Sequence, residues 1–139
     1  MIIYGIGTDI VNIKRLDKSL KKYGNRFRDK IFSSKEINYC TSKKNPAPFY
    51  AKRFAAKEAL AKALGLGFRK GINFKNIEVF NNKYGKPLIK LKGRALTILK
   101  KRVKNKKYQI DISLSDDKPW AQATVIISLK KWKKISKNL

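Results

Sequence analysis

Apolar side chains recur along the chain with two periods, and each period predicts a different element. Ile13, Leu16, Leu20, Tyr23, Phe27 and Ile31 step by three or four residues. That spacing predicts an amphipathic helix with those six side chains inward and Gly24 as a break or kink. Its other face carries Lys14, Arg15, Lys18, Lys21, Lys22, Arg26 and Lys30. Over residues 108–115 the period drops to two. Ile110, Ile112 and Leu114 fall on one face and Asp111, Ser113 and Ser115 on the other, the pattern of a half-buried strand. Residues 116–119 read as a turn, and 120–129 as the returning strand. Residues 77–80 and 88–91 read as two more strands joined by the turn-forming run Asn81-Asn82-Lys83-Tyr84-Gly85. Residues 1–11 read as a buried strand.

Two further segments carry helix signals. Ser33 and Glu36 have capping-box spacing and open a short helix that ends near Thr41. Residues 93–103 form a helix with Leu96, Leu99 and Val103 inward, followed by a basic turn over 104–107. Gly65, Gly67 and Gly71 flank a basic loop; backbone N–H groups over residues 67–71 suit a phosphate, although a plain turn is the simpler reading. The pattern predicts one α+β domain with no repeat and no linker, and residues 130–139 read as a frayed basic tail or a short helix anchored by Trp132.

The most informative stretch is R-F-A-A-K-E-A-L-A-K-A-L-G, residues 53–65. Alanine, leucine, lysine and glutamate all favour the helix, Gly65 suits the C-cap, and Pro46 and Pro48 suit the entry. The expected helix runs from about 48 to 64. Phe54, Glu58 and Lys62 lie four residues apart in one row, surrounded by alanines that leave little bulk. A surface Glu–Lys pair explains this spacing. So does an acid and a base set to hold a metal and a phosphate. In the first strand, Asp9 is a lone carboxylate among apolar residues and requires a partner. Either an arginine or lysine, or a hard cation shared with Glu58, satisfies it.

Composition narrows the chemistry. Lysine and arginine total 35 against 9 aspartate and glutamate, a formal net charge of +26. Lysine supplies 28 of those cations, spread along the chain, whereas readers of base edges favour arginine. An acidic protein partner therefore suits the charge better than nucleic acid. There is no histidine and one cysteine, Cys40. Histidine bases, His-ligated zinc and an intrachain disulfide are excluded. The first residues lack a basic leader, and no stretch approaches the ~20 apolar residues of a membrane span. A cytoplasmic location is expected.

G-I-G-T-D-I-V (residues 5–11) followed by R-F-A-A-K-E-A-x-x-K-A-x-G, then G-K-P (85–87) and S-L-S (113–115), resembles the holo-acyl-carrier-protein synthase family of small 4′-phosphopantetheinyl transferases. The resemblance covers residues 1–129. It implies an α+β fold with antiparallel strands packed on one long helix, and a homotrimer with active sites between subunits. It also implies transfer of 4′-phosphopantetheine from coenzyme A to a serine of apo acyl carrier protein, in the service of fatty acid synthesis. On this resemblance Asp9 and Glu58 hold Mg²⁺ and Lys62 meets the phosphates. Glu58, or a water on the metal, accepts the serine proton. Arg53, Lys62, Gly85, Lys86, Pro87, Leu114 and Ser115 match positions that bind coenzyme A. Arg15, Arg26, Phe27 and Lys30 match positions that dock the carrier.

The chain departs from the family pattern at two positions where relatives often carry histidine, here Asp111 and Asp116. Asp116 leaves three options open. The phosphate contact that a histidine would make there is dispensable, Lys118 replaces it, or the carboxylate joins the metal or base chemistry. Two other readings compete with the transferase: a highly basic nucleic-acid-binding module, and an inactive relative that only binds coenzyme A or a carrier.

Overall fold

The computed structural model describes residues 1–66 and 72–130. The suggested phosphate loop and nearly all of the basic tail lie outside the described residues. The order is β1 (Ile2–Asn12), α1 (Ile13–Ile31), α2 (Ser34–Thr41), α3 (Ala47–Leu64), a 3₁₀ turn (Phe74–Asn76), β2 (Ile77–Asn81), β3 (Pro87–Leu91), α4 (Gly93–Arg102), β4 (Tyr108–Asp117) and β5 (Trp120–Leu129). One antiparallel sheet has the order β1-β5-β4, and β2 and β3 form a separate antiparallel pair. The fold is α+β, with α3 as its axis.

Helix α3 is buried on nearly every side. Ala51, Ala55, Ala56, Ala59, Leu60, Ala63 and Leu64 are all core residues, and Gly65 closes the helix at φ 77°. Its alanines face β1 across an unusually short gap. A Cβ on Gly7 would stand 1.8 Å from the Ala59 carbonyl oxygen, and one on Gly5 2.0 Å from that of Ala63. Only hydrogen fits there, so the helix backbone lies directly on the strand. Val125 and Ile127 of β5, with Ile77, Val79 and Leu99, complete the main core. A second cluster forms where Ile13, Leu16, Ile31 and Phe32 meet Tyr50, Ala51 and Ala121.

Several expectations need correction. β1 is an edge strand of this chain, not a buried one. Ile6 and Ile10 are 65% and 60% exposed, on the sheet face away from α3. The apolar run that suggested burial therefore faces outward. Tyr23, expected inward, is 58% exposed. Gly24 takes φ 68° and ψ −159°, which splits α1 into two segments and turns Tyr23 out of the stripe, against Phe27. In α4, Ala95 and Ile98 join Leu99 in the core, while Leu96 is only half-buried. Asp116 belongs to β4, paired with Ala121, and the turn shrinks to Lys118–Pro119, joined by a cis peptide bond.

The close approach of α3 and β1 makes a direct prediction. Gly7→Ala forces a methyl group into a backbone carbonyl, and overpacking of this kind costs about 1–3 kcal/mol or more. Thermal unfolding is expected to show a markedly lower midpoint for Gly7→Ala. Gly85→Ala, at an open turn with nothing near its Cβ, is expected to lose only the smaller cost of its positive φ. Equal midpoints for the two variants would contradict the packing argument.

Candidate active site

In an antiparallel strand residues two apart share a face, so the face that brings Gly7 to α3 also carries Asp9. The Asp9 Oδ1 accepts from Lys62 Nζ at 3.1 Å, and the same ammonium donates to the Thr8 carbonyl at 2.9 Å. The lysine partner considered for Asp9 is therefore present, and it is a member of the α3 row. Lys62 turns across to β1 and does not pair with Glu58. Glu58, one helical turn earlier, makes no hydrogen bond or ion pair with another described residue.

Asp9 and Glu58 line one open cleft of about 400 Å³. Ile10, Val11 and Asn12 of β1, Arg15, Leu16, Ser19 and Phe27 of α1, and Phe54 of α3 form the rest of its wall. Burial holds the Glu58 carboxyl above the ordinary glutamate range. The Asp9 charge adds to that rise, and Lys62 opposes it. Two carboxylates share a site in which one has no cation partner of its own. All the acidic donors are hard oxygens, and no cluster of three or more acidic or sulfur and nitrogen ligands exists among the described residues. This donor set fits a magnesium ion that completes its shell with water and substrate phosphate, and does not suit a soft or fully protein-caged metal.

The remaining candidates divide. Arg15 and Phe27 stand in the wall of the cleft, while Arg26 and Lys30 lie exposed on the second segment of α1. Lys30 borders an adjoining apolar groove of about 640 Å³ lined by Phe27, Ile31, Phe54 and Phe74. Arg53 does not line an open groove in this chain, being only 2% exposed. Its guanidinium lies 4.0 Å from the Tyr39 ring centre, and Nη2 donates to Asn81 Oδ1 at 2.6 Å. Asn81 in turn donates to the Gly85 carbonyl at 3.0 Å. Arg53 thus reaches Gly85, Lys86 and Pro87 through the β2–β3 turn and not through solvent. Leu114 and Ser115 sit on edge strand β4, where Ser115 Oγ donates to Gln122 Oε1 at 3.2 Å. None of these turn and strand residues lines the cleft around Asp9 and Glu58.

Of the two aspartates at expected histidine positions, Asp111 accepts from the Gln109 amide and Asp116 pairs with Lys52 at 2.8 Å. Lys52 neutralises Asp116, and neither aspartate lines the Asp9–Glu58 cleft. Sequence reasoning missed one buried ion pair, Lys57 with Glu36, both wholly buried at 2.7 Å. A signal was available. Lys57 follows Ala55 and Ala56 on a helix rich in alanine, and the argument that demanded a partner for Asp9 applies equally to it.

The Glu58 shift has a consequence for stability. A carboxyl whose folded-state affinity for protons is raised adds stability below the ordinary glutamate value. That contribution is lost as pH rises through the higher folded-state value. Ionised Glu58 therefore weighs against the fold at neutral pH. In the absence of divalent cations, Glu58→Gln is expected to melt above the wild type at neutral pH, with the difference shrinking as the pH is lowered through the glutamate range. A variant that melts below wild type at neutral pH would show that ionised Glu58 supports the fold.

Residues 5–123 match the model of the 4′-phosphopantetheinyl transferase superfamily. The holo-[acyl-carrier-protein] synthase of Dinoroseobacter shibae is 44% identical over 128 residues, covering 91% of this chain and 92% of that protein. The crystal structure of holo-[acyl-carrier-protein] synthase from Neisseria meningitidis superposes with a TM-score of 0.79 at 37% identity, over 91% of this chain and 99% of that one. The Helicobacter pylori synthase, solved in complex with coenzyme A, gives 0.74 at 33% identity, over 88% and 99%. The glycine-backed Asp9 and the Glu58–Lys62 row both fall inside the matched region. With that match along nearly its whole length, the chain belongs to the holo-acyl-carrier-protein synthase family of 4′-phosphopantetheinyl transferases.

Proposed function

We propose that this chain transfers 4′-phosphopantetheine from coenzyme A to a serine of apo acyl carrier protein, and so supplies holo carrier for fatty acid synthesis. The observation that carries the reading is the meeting of Asp9, Glu58 and Lys62 beside a cleft whose wall includes Arg15 and Phe27. In the reaction the serine Oγ bonds to the phosphorus next to pantetheine. The bond from that phosphorus to the bridging oxygen breaks, and 3′,5′-ADP leaves. Phosphoryl transfer depends on positioning and on neutralising charge, and little covalent chemistry falls to the protein.

Asp9 and Glu58 are the residues that would hold Mg²⁺, which offsets the negative charge of the pyrophosphate when bound. Lys62 already bridges Asp9 and the Thr8 carbonyl. Its ammonium remains half-exposed and available to a phosphate oxygen. Glu58, or a water on the metal, is the candidate acceptor of the serine proton.

Gly85, Lys86, Pro87, Leu114 and Ser115 stand apart from the cleft within one chain, and Arg53 supports the turn that carries the first three. A homotrimer accommodates this separation, with coenzyme A lying between the cleft of one subunit and the turn and strand residues of its neighbour. The outward face of the sheet suits such an assembly. Ile6 and Ile10 are exposed, and between them Gln122 donates to both Thr8 and Thr124. Exposed isoleucines around a satisfied polar patch are characteristic of a surface that meets another protein. Among the described residues no helix is long and apolar enough to cross a membrane.

The carrier docks on the basic face of α1. Acyl carrier proteins are acidic, and Arg15, Arg26 and Lys30 present cations beside Phe27, the apolar anchor. Attraction between exposed charges speeds encounter and is screened over about 8 Å at physiological ionic strength.

Two experiments test the proposal. Apo carrier incubated with the protein, coenzyme A and Mg²⁺ is expected to gain the mass of one phosphopantetheine. Asp9→Ala and Glu58→Ala are each expected to lower turnover by about 10²-fold or more while remaining folded. Full activity in EDTA or in either variant would refute the metal pair. Separately, kcat/KM for the carrier is expected to fall as salt rises. Arg15→Glu and Arg26→Glu are each expected to raise the carrier KM by roughly three- to tenfold, with little change for coenzyme A. Reversal variants that use carrier as wild type does would leave α1 as a merely solvated face.

A further inference from the structure

The buried ammonium of Lys57 has no part in the chemistry above, yet it joins four segments at one point. Its Nζ donates to the Ile31 carbonyl at 2.7 Å, to Glu36 Oε1 at 2.7 Å and to the Phe74 carbonyl at 3.0 Å. Those three bonds use every donor that an ammonium has. Glu36 is equally occupied. It accepts from the Ser33 amide through Oε1 and from the Val79 amide through Oε2. Burial lowers the proton affinity of Lys57, while the Glu36 charge and hydrogen bond hold the proton on.

The attachment points of Lys57 are also walls of the apolar groove beside the carboxylate cleft. Ile31 ends the second segment of α1, the segment that carries Phe27 and Lys30 beyond the Gly24 kink. Phe74 stacks on Phe54, with ring centres 5.5 Å apart. Phe27, Ile31, Phe54 and Phe74 line the groove, and Phe27 and Phe54 also line the Asp9–Glu58 cleft. The segment after the kink is short, and its helix is interrupted by Gly24. Its position relative to α3 is therefore set at its far end, where Lys57, the residue next to Glu58, grips its last carbonyl.

We propose that Lys57 is a positioning residue for carrier recognition: by holding Ile31 and Phe74, it fixes the Phe27-bearing segment of α1 and the Phe54–Phe74 wall at a set distance from Glu58. The inference rests on the transferase reading and adds to it a residue that touches neither substrate. It separates two roles within the Lys57–Glu36 pair. The Glu36 bonds to Ser33 and Val79 hold α2 and β2, and the lysine bonds to Ile31 and Phe74 set the docking groove.

Removing one partner of a buried pair leaves an uncompensated charge, so Lys57→Met alone tests the fold more than the site. The informative variant is Lys57→Met/Glu36→Gln. It is neutral and nearly isosteric and deletes both carbonyl ties, while its single amide oxygen serves only one of the two positions that accept from Ser33 and Val79 in the wild type. Glu36→Gln alone leaves the Lys57 charge uncompensated but keeps its two carbonyl acceptors, so it is the comparison for the ties once circular dichroism shows it folded. In steady-state transfer by the full chain with apo carrier, coenzyme A and Mg²⁺, the double variant is expected to raise the carrier KM about tenfold. Its kcat and its KM for coenzyme A are expected to stay within about twofold of wild type. Glu36→Gln is expected to keep a wild-type carrier KM. Direct carrier binding without coenzyme A, followed by fluorescence anisotropy, should show the same order.

A folded double variant with unchanged carrier KM overturns the proposal. So does an equal loss in kcat and in both KM values, or an equal effect from Glu36→Gln. Failure of the double variant to fold, read by circular dichroism, assigns Lys57 to the fold as a whole and likewise overturns it. A wild type that binds carrier without modifying it would defeat the transferase reading, while the binding comparison would still decide the role of Lys57. A wild type that neither binds nor modifies it would defeat both.

Discussion

The packing of α3 directly on β1 is the constraint from which the rest of the structure follows. Two glycines on one strand face, Gly5 and Gly7, let the backbones meet with no side chain between them. The alanines at 59 and 63 are the complementary half of the same contact. Any larger residue at these four positions would push the helix away from the sheet and separate Asp9 from Glu58 and Lys62. The small residues therefore serve geometry more than burial. They bring three polar side chains from distant parts of the sequence into reach of one another, at the place where the strand face changes from glycine to aspartate.

The opposite side of α3 is held by different chemistry. Arg53 and Lys57, one helical turn apart, point away from β1 into a polar seam with Asn81, Glu36 and the Ile31 and Phe74 carbonyls. Buried cations are costly unless fully paired, and here Lys57 uses all three of its donors. Arg53 is less complete, since its Nε is buried with no hydrogen-bond partner among the described residues, although its planar face lies over Tyr39. The seam gives directional attachment where the alanine face gives only close contact. Together they lock α3 in rotation as well as in distance, and so fix where Phe54, Glu58 and Lys62 stand.

Charge acts at two scales in this molecule. The excess of lysine gives a broad positive field suited to an acidic partner. Within the cleft the balance is local: one lysine, Lys62, is committed to Asp9, while Glu58 keeps a carboxyl that is reluctant to ionise. An unmatched carboxylate in a partly buried cleft works against stability and in favour of a cation or a proton. This is a common compromise where function requires a group that the fold would do better without. The Lys52–Asp116 pair shows the reverse case, a carboxylate matched by a lysine of its own.

Local signals in the sequence determined much of this. The Ser33–Glu36 capping box, the Gly65 C-cap, the Gly24 kink and the limits of α3 all depend on neighbours within a few residues, and each is present. So does the row of Phe54, Glu58 and Lys62, because helical spacing fixes it. What the sequence could not decide was which faces are covered. The isoleucines of β1 looked like core because strand periodicity does not say whether a sheet face is packed, and here the chain leaves that face open. Arg53 matches a coenzyme A position by resemblance, and nothing in the sequence marks its burial. Its partner, Asn81, lies 28 residues away, and only the folded chain brings the two together. The same is true of Lys57 and Glu36, 21 residues apart, and of Lys62 and Asp9, 53 apart. Pairings across such distances are fixed by the closeness of α3 to β1 and by the seam behind it, which are properties of the tertiary structure.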